Sequence, residues 1–129
     1  MVNDSCKVLV VDDNHDAADT SVMLLHSWKH EAVAVYSAAE CITIARQFDP
    51  DIVLMDIGLP GMNGIDVAKE LQAICPGVRI IGVSGFTQKD IVRRSRAAGF
   101  TDYLVKPVAP TELKDAVDTQ CSISRDTYP

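Results

Sequence analysis

The chain has 129 residues, 47% of them hydrophobic and 23% charged, with 18 acidic side chains against 12 basic ones and a formal net charge of −6. That length suits one domain whose core needs no staples, and the acidic balance leaves no footprint for a phosphate backbone, so nucleic acid is not expected as a direct partner. No apolar run has the length of a membrane span or the pattern of a secretory signal, so the chain is expected to be soluble and cytoplasmic, without membrane insertion.

In chain order, the first expected element is the strand "CKVLVV" (6–11), which runs straight into Asp12 and Asp13. Residues 15–29 follow, with Ala18, Ser21, Leu25 and Trp28 at helical spacing on one face. Then come strand 31–36 "EAVAVY", helix 38–48 and strand 51–55 "DIVLM", which ends against Asp56. Helix 64–75 has Val67, Ala68, Leu71 and Ile74 in line, and it leads to strand 78–84 "VRIIGVS" and helix 88–98. Strand 101–105 "TDYLV" is followed by Lys106, Pro107 and a last helix, 110–120, opened by Pro110 at a first-turn position.

Strands of β-branched residues alternating with segments of helical period give five β/α repeats, the signature of a parallel α/β sheet. Three strands are almost wholly apolar, as strands covered on both faces should be. Residues 1–121 are read as one domain and "SISRDTYP" (122–129) as a short polar tail. With no DNA-binding or catalytic module after residue 121, the expectation is a stand-alone module or one excised from a longer protein. Cys6, Cys41, Cys75 and Cys121 are scattered singly with no C-x-x-C pair, and they are expected to be reduced core residues of a cytosolic protein, neither disulfides nor zinc ligands.

Function in an open parallel sheet lies at the carboxyl ends of the strands. There stand Asp12 and Asp13 after the first strand, Asp56 at the end of the third, Ser84 at the end of the fourth and Lys106 after the fifth. An Asp before a helix is often a cap and a Lys after a strand often a solvated charge. Three carboxylates brought to one edge, however, repel unless a cation neutralises them, and oxygen-only ligands fit Mg²⁺ better than zinc or copper.

The stretches "VLVVDDN", "DIVLMDIGLPGMNG", "GVSG" and "DYLVKP" resemble the receiver domain of two-component response regulators, and the likeness covers about residues 6 to 120. The resemblance implies a flavodoxin-like (βα)5 doubly wound sheet with strand order 2-1-3-4-5. It implies Asp56 as phosphoacceptor, Asp12 and Asp13 as the acid pair for Mg²⁺, and the backbone carbonyl of Gly58 as a further ligand. Ser84 corresponds to the hydroxyl switch, Tyr103 to the aromatic switch and Lys106 to the lysine of the site, with Lys106–Pro107 a cis peptide. The resemblance also places Gly58 and Phe86 beside the approach of the hydrolytic water, where both point to slow loss of phosphate, the alternative for Phe86 being a docking aromatic or a ring packed under helix 88–98.

The implied donor is a phosphohistidine on a sensor histidine kinase or a histidine phosphotransfer protein, so no histidine of this chain serves as a base. His15, His26 and His30 are read as surface or cap residues. The domain is implied to be a signalling module that catalyses its own phosphotransfer and autodephosphorylation, altering the 88–120 surface for a downstream protein or domain. "RRSR" (93–96) is a solvated helix face or a docking patch for an acidic partner. "LPGM" (59–62) has the Pro and Gly of a type II turn.

Two departures from the family pattern fall at helix ends. Lys29 stands where a glycine often closes the first helix, and Ala109 where an Asp or Ser often caps the last, each costing about 1 kcal/mol. Two other classes compete. A flavodoxin-like electron carrier needs a phosphate cradle where this chain has Asp12 and Asp13, which repel one. An aspartyl-nucleophile phosphatase resembles a D-x-D motif on one strand end, whereas here acid pair and nucleophile lie on different strands.

Overall fold

The computed structural model describes residues 5–58, 64–85 and 99–126. Its elements in order are β1 (Lys7–Val11), α1 (His15–Ser27), β2 (Glu31–Val35), α2 (Ala38–Phe48), β3 (Ile52–Asp56), α3 (Gly64–Ile74), β4 (Arg79–Ser84), β5 (Asp102–Val105) and α4 (Pro110–Asp126). The strands form one parallel sheet in the order β2-β1-β3-β4-β5, as expected. The expected helix 88–98 and turn 59–62 lie outside the described residues.

Strand periodicity divides the core in two. In β1, Leu9 and Val11 join the apolar layer under α2 and α3, while Val8 and Val10 join the layer under α1 and α4; in β3, Val53 and Met55 take the first side and Ile52 and Leu54 the second. These strands are buried on both faces, which explains their unbroken apolar sequences.

Caps set the helix ends. The Asn14 side chain accepts from the Ala17 N–H, and Ser37 caps α2, its Oγ accepting from the Glu40 N–H at 3.2 Å and donating to Glu40 Oε1 at 3.2 Å. At the end of α1 the Lys29 N–H donates to His26 O and the His30 N–H to Leu25 O, with Lys29 left-handed at φ 74°. That is a Schellman motif with lysine in the position that favours glycine. Ala109 contributes no side-chain cap to α4, but its N–H donates to Glu112 Oε1 at 3.1 Å, half of a capping box. Gly82 in β4 is required sterically, since a Cβ there would stand 2.7 Å from Ile57 Cδ1 and 2.9 Å from Phe100 Cδ2.

Three expectations are corrected. Cys6 and Cys121 are joined by a disulfide, their Cα atoms 6.1 Å apart across 115 residues of sequence. The last helix runs antiparallel to the strands, so its far end returns to the start of β1, and no local spacing rule registers such a pair. Cys41 and Cys75 are free and buried, and burial first, then the nearby Cys75, pushes the Cys41 thiol up to about 12. His30 is neither a surface nor a cap residue: it is 5% exposed, its Nδ1 accepts from the Cys6 N–H at 3.0 Å, and its Nε2 lies 3.6 Å from Asp118 Oδ1. α4 also continues to Asp126, through most of the segment read as a polar tail. Among the described residues no helix is long and apolar enough to cross a membrane.

Candidate functional site

The sheet register assembles the site. β1 pairs with β3 up to Val11 beside Met55, so one step further sets Asp12 beside Asp56. By parity both project to the α1/α4 side, with Val10 and Leu54. Asp13, the next residue, is exposed. One carboxylate oxygen from each of Asp12, Asp13 and Asp56 can be chosen so that all lie within 4.8 Å of one another.

Local turns orient two of these carboxylates. Asp12 Oδ1 accepts from the Asn14 N–H at 3.0 Å, and Asp56 Oδ1 accepts from the Gly58 N–H at 2.9 Å. Both are bonds to the backbone two residues on, and the D-x-N and D-x-G spacings that produce them are readable in the sequence. The remaining oxygens meet Lys106, whose Nζ stands 3.3 Å from Asp12 Oδ2 and 3.3 Å from Asp56 Oδ2. β5 supplies this lysine because Ser84 pairs with Val105, and the Lys106 N–H then donates to Ser84 O at 2.9 Å. The Lys106–Pro107 peptide is cis, in keeping with the expectation.

The electrostatics follow from burial. The Asp56 and Asp12 side chains are only 9% and 11% exposed, against 36% for Lys106. Partial burial alone lowers the Lys106 pKa, but attraction to Asp56 and Asp12 and the hydrogen bonds to both outweigh it and hold the ammonium above its ordinary value of 10.5. Among the described residues a single ammonium faces three carboxylates, leaving an excess of negative charge. The hard oxygen donors of Asp12, Asp13 and Asp56, close enough to share one small ion, suit Mg²⁺.

Ser84 is buried at the end of β4, and Tyr103 is partly buried in β5 beside Gly82. Gly58 is exposed immediately after β3. Phe86 and "RRSR" (93–96) lie outside the described residues. A cavity of about 690 Å³ opens from the site between α1 and the β5–α4 connection, with Asp12, Asp56 and Lys106 at one end and Leu24, Leu104 and Val108 along its apolar wall. On the β2 side, His15 stacks on Tyr36 with ring centroids 3.8 Å apart, and the Tyr36 hydroxyl donates to Asp19 Oδ1 at 2.6 Å. That pairing has no local sequence signal, since it joins the first turn of α1 to the end of β2.

Residues 8–118 match the family model described as the response regulator receiver domain. Among curated relatives, the chain is 36% identical over 107 residues to the DNA-binding response regulator MtrA of Mycobacterium leprae, covering 83% of this chain and 47% of that protein. It is 28% identical over 127 residues to the transcriptional regulatory protein ZraR of Salmonella typhimurium, covering 98% of this chain and 29% of the other. The chain thus spans about half the length of MtrA and less of ZraR. Among solved structures, a CheY-like receiver domain protein from Methanospirillum hungatei superimposes with a TM-score of 0.89 at 24% identity, over 95% of this chain and 98% of that one. A receiver domain protein from Clostridium thermocellum gives 0.87 at 25%, with the same coverage.

Proposed function

The chain belongs to the response regulator receiver domain family of two-component signalling, and from that premise we propose that Asp56 is its phosphoacceptor. The donor is a phosphohistidine on a sensor histidine kinase or a histidine phosphotransfer protein in the cytoplasm. The observation that supports this reading best is the shared contact of Lys106 with Asp12 and Asp56 beside a third carboxylate.

An Asp56 carboxylate oxygen forms a bond to phosphorus as the bond from phosphorus to the donor's imidazole nitrogen breaks, and the imidazole leaves with that electron pair. The transfer is between groups that are both rich in negative charge. Asp12, Asp13, Asp56 and the Gly58 carbonyl are the residues to hold Mg²⁺, which when bound supplies positive charge at the transferring phosphoryl group. Lys106 takes another phosphoryl oxygen, for which its elevated pKa keeps it charged at any physiological pH. The Ser84 hydroxyl donates to the new phosphoryl group, and the Tyr103 ring turns into the space its movement leaves. The altered surface, within 88–120, meets a downstream protein or domain by protein contact. The domain is a signalling module that catalyses its own phosphotransfer and autodephosphorylation.

The test is incubation with Mg²⁺ and acetyl phosphate. The chain should incorporate hydroxylamine-sensitive phosphate and Asp56→Asn none; full incorporation by that variant overturns the assignment.

A further inference from the structure

We infer that Cys6 and Cys121 form a reversible redox latch on α4, which holds the C-terminal half of that helix to the sheet when oxidised and releases it when reduced. The inference rests on the receiver reading in one respect: a phosphorelay protein of the cytoplasm works where thiols are kept reduced, and a disulfide there is a transient or sensing bond rather than a permanent staple.

The packing around the bond explains why it is needed. Past Leu113, α4 buries only Ala116, Val117, Gln120 and Cys121 among its residues to 122, so mostly small side chains hold its second half. Gln120 adds a burden, because its Oε1 is buried with no hydrogen-bond partner among the described residues. Asp118 is shared between Lys114 on the exposed face, at 2.7 Å, and buried His30, at 3.6 Å. Because the Cys6 N–H can only donate, His30 Nδ1 is the acceptor and Nε2 carries the hydrogen that faces Asp118. His30 thus touches both sides of the latch, bonding to the Cys6 backbone and facing the helix one turn before Cys121.

The first half of α4 lies at the mouth of the sheet. Leu113 lines the cavity that holds Asp12, Asp56 and Lys106, and it belongs to the same apolar layer as Cys6 and Cys121. The bond thus secures the second half of a helix whose first half borders the acceptor site.

The chemistry balances with a dithiol as reductant. Cys6 and Cys121 are 3% and 1% exposed, so the last turns of α4 must lift before attack. A thiolate of the dithiol then bonds to Cys121 Sγ as the Sγ–Sγ bond breaks, and Cys6 leaves as a thiolate that takes a proton from water. The second thiol of the dithiol, as its thiolate, displaces Cys121, which is likewise protonated, and the dithiol ends as a disulfide. Two electrons pass to the protein and two thiols result.

The experiment compares the full chain equilibrated with oxidised dithiothreitol against the same chain reduced with dithiothreitol, by hydrogen exchange and mass spectrometry. The reduced form should exchange at least tenfold faster in peptides covering 116–122, with β3 and β4 unchanged, and graded mixtures of reduced and oxidised dithiothreitol should move the protein both ways. Cys6→Ser, which leaves α4 intact, should exchange like the reduced chain and ignore dithiothreitol. Equal exchange in the two forms, a uniform loss of protection across the sheet, or failure to re-form the bond would each overturn the latch. Phosphate incorporation from acetyl phosphate is read in parallel on both forms. Its absence from both would count against the acceptor role while leaving the exchange result to judge the latch.

Discussion

Lys106 Nζ stands 3.3 Å from Asp56 Oδ2 and 3.3 Å from Asp12 Oδ2, so one ammonium is shared by two of the three clustered carboxylates. A cation bound by these carboxylates would therefore compete with the ammonium for their charge. Lys106→Met should bind Mg²⁺ several-fold more tightly by calorimetric titration while incorporating phosphate from acetyl phosphate at least tenfold more slowly, because the phosphoryl group loses its second positive contact. Unchanged values of both would separate Lys106 from the site.

The same contact sets a pH dependence. The Lys106 pKa is raised in the fold, so its stabilising contribution is fully present below its ordinary value of 10.5 and is lost as the pH rises through the higher folded value. In metal-free buffer, the stability gap between the parent and Lys106→Met should be widest below pH 10 and close above about 10.5. Lys114, also raised through Asp118, titrates in both proteins and cancels in the difference. A gap that stays constant to pH 11.5 would mean that the pair contributes nothing to folding.

Asp13 is exposed, whereas Asp12 is buried and engaged with Asn14 and Lys106. Asp13→Ala should weaken Mg²⁺ binding by tenfold or more with little change in melting temperature. Asp12→Ala should lower the melting temperature as well, by several degrees, because it strips a partner from a half-buried ammonium. Titration and thermal melts on the same samples check both, and equal thermal effects would contradict the assigned difference in burial.

At the end of α1, Lys29 holds φ 74° in a Schellman motif. Lys29→Gly should stabilise the chain by about 1 kcal/mol by removing the left-handed penalty, measured by urea unfolding. The substitution lies at the opposite end of the helix from Asn14, so phosphate incorporation should not change.

Thiol counting tests the cysteine chemistry. Denatured without reductant, the chain should yield two reactive thiols, Cys41 and Cys75, and after reduction all four. In the native state both should react slowly with maleimide, since burial raises both thiols, Cys41 to about 12, and leaves little thiolate.

Much of this architecture was legible because it depends on periodicity and on where apolar runs stop. Asp12 and Asp56 each follow an unbroken buried strand, and a charge in that position can only mark the mouth. Lys29 and Ala109 were legible as poor helix ends for the same local reason. The disulfide was not, because Cys6 and Cys121 meet only through the return of α4 along the whole sheet. His30 was misread with it: its ring nitrogens face Cys6 and Asp118, neither of which is near it in sequence. Nor does any local pattern announce that His15 stacks on Tyr36.

The alternation of β1 and β3 between two apolar layers turns the sheet into a ruler graduated in pairs of residues. Deleting one residue within Ile52–Asp56 would swing the following carboxylate to the α2/α3 side, away from Asp12 and Lys106, while exchanging every apolar neighbour between layers. Deleting two would restore the side but withdraw the carboxylate by about 6.6 Å along the strand. Length variation in a lineage of this chain should therefore be confined to the connections, with the stretches from Lys7 to Asp13 and from Ile52 to Asp56 admitting substitutions but no insertions or deletions.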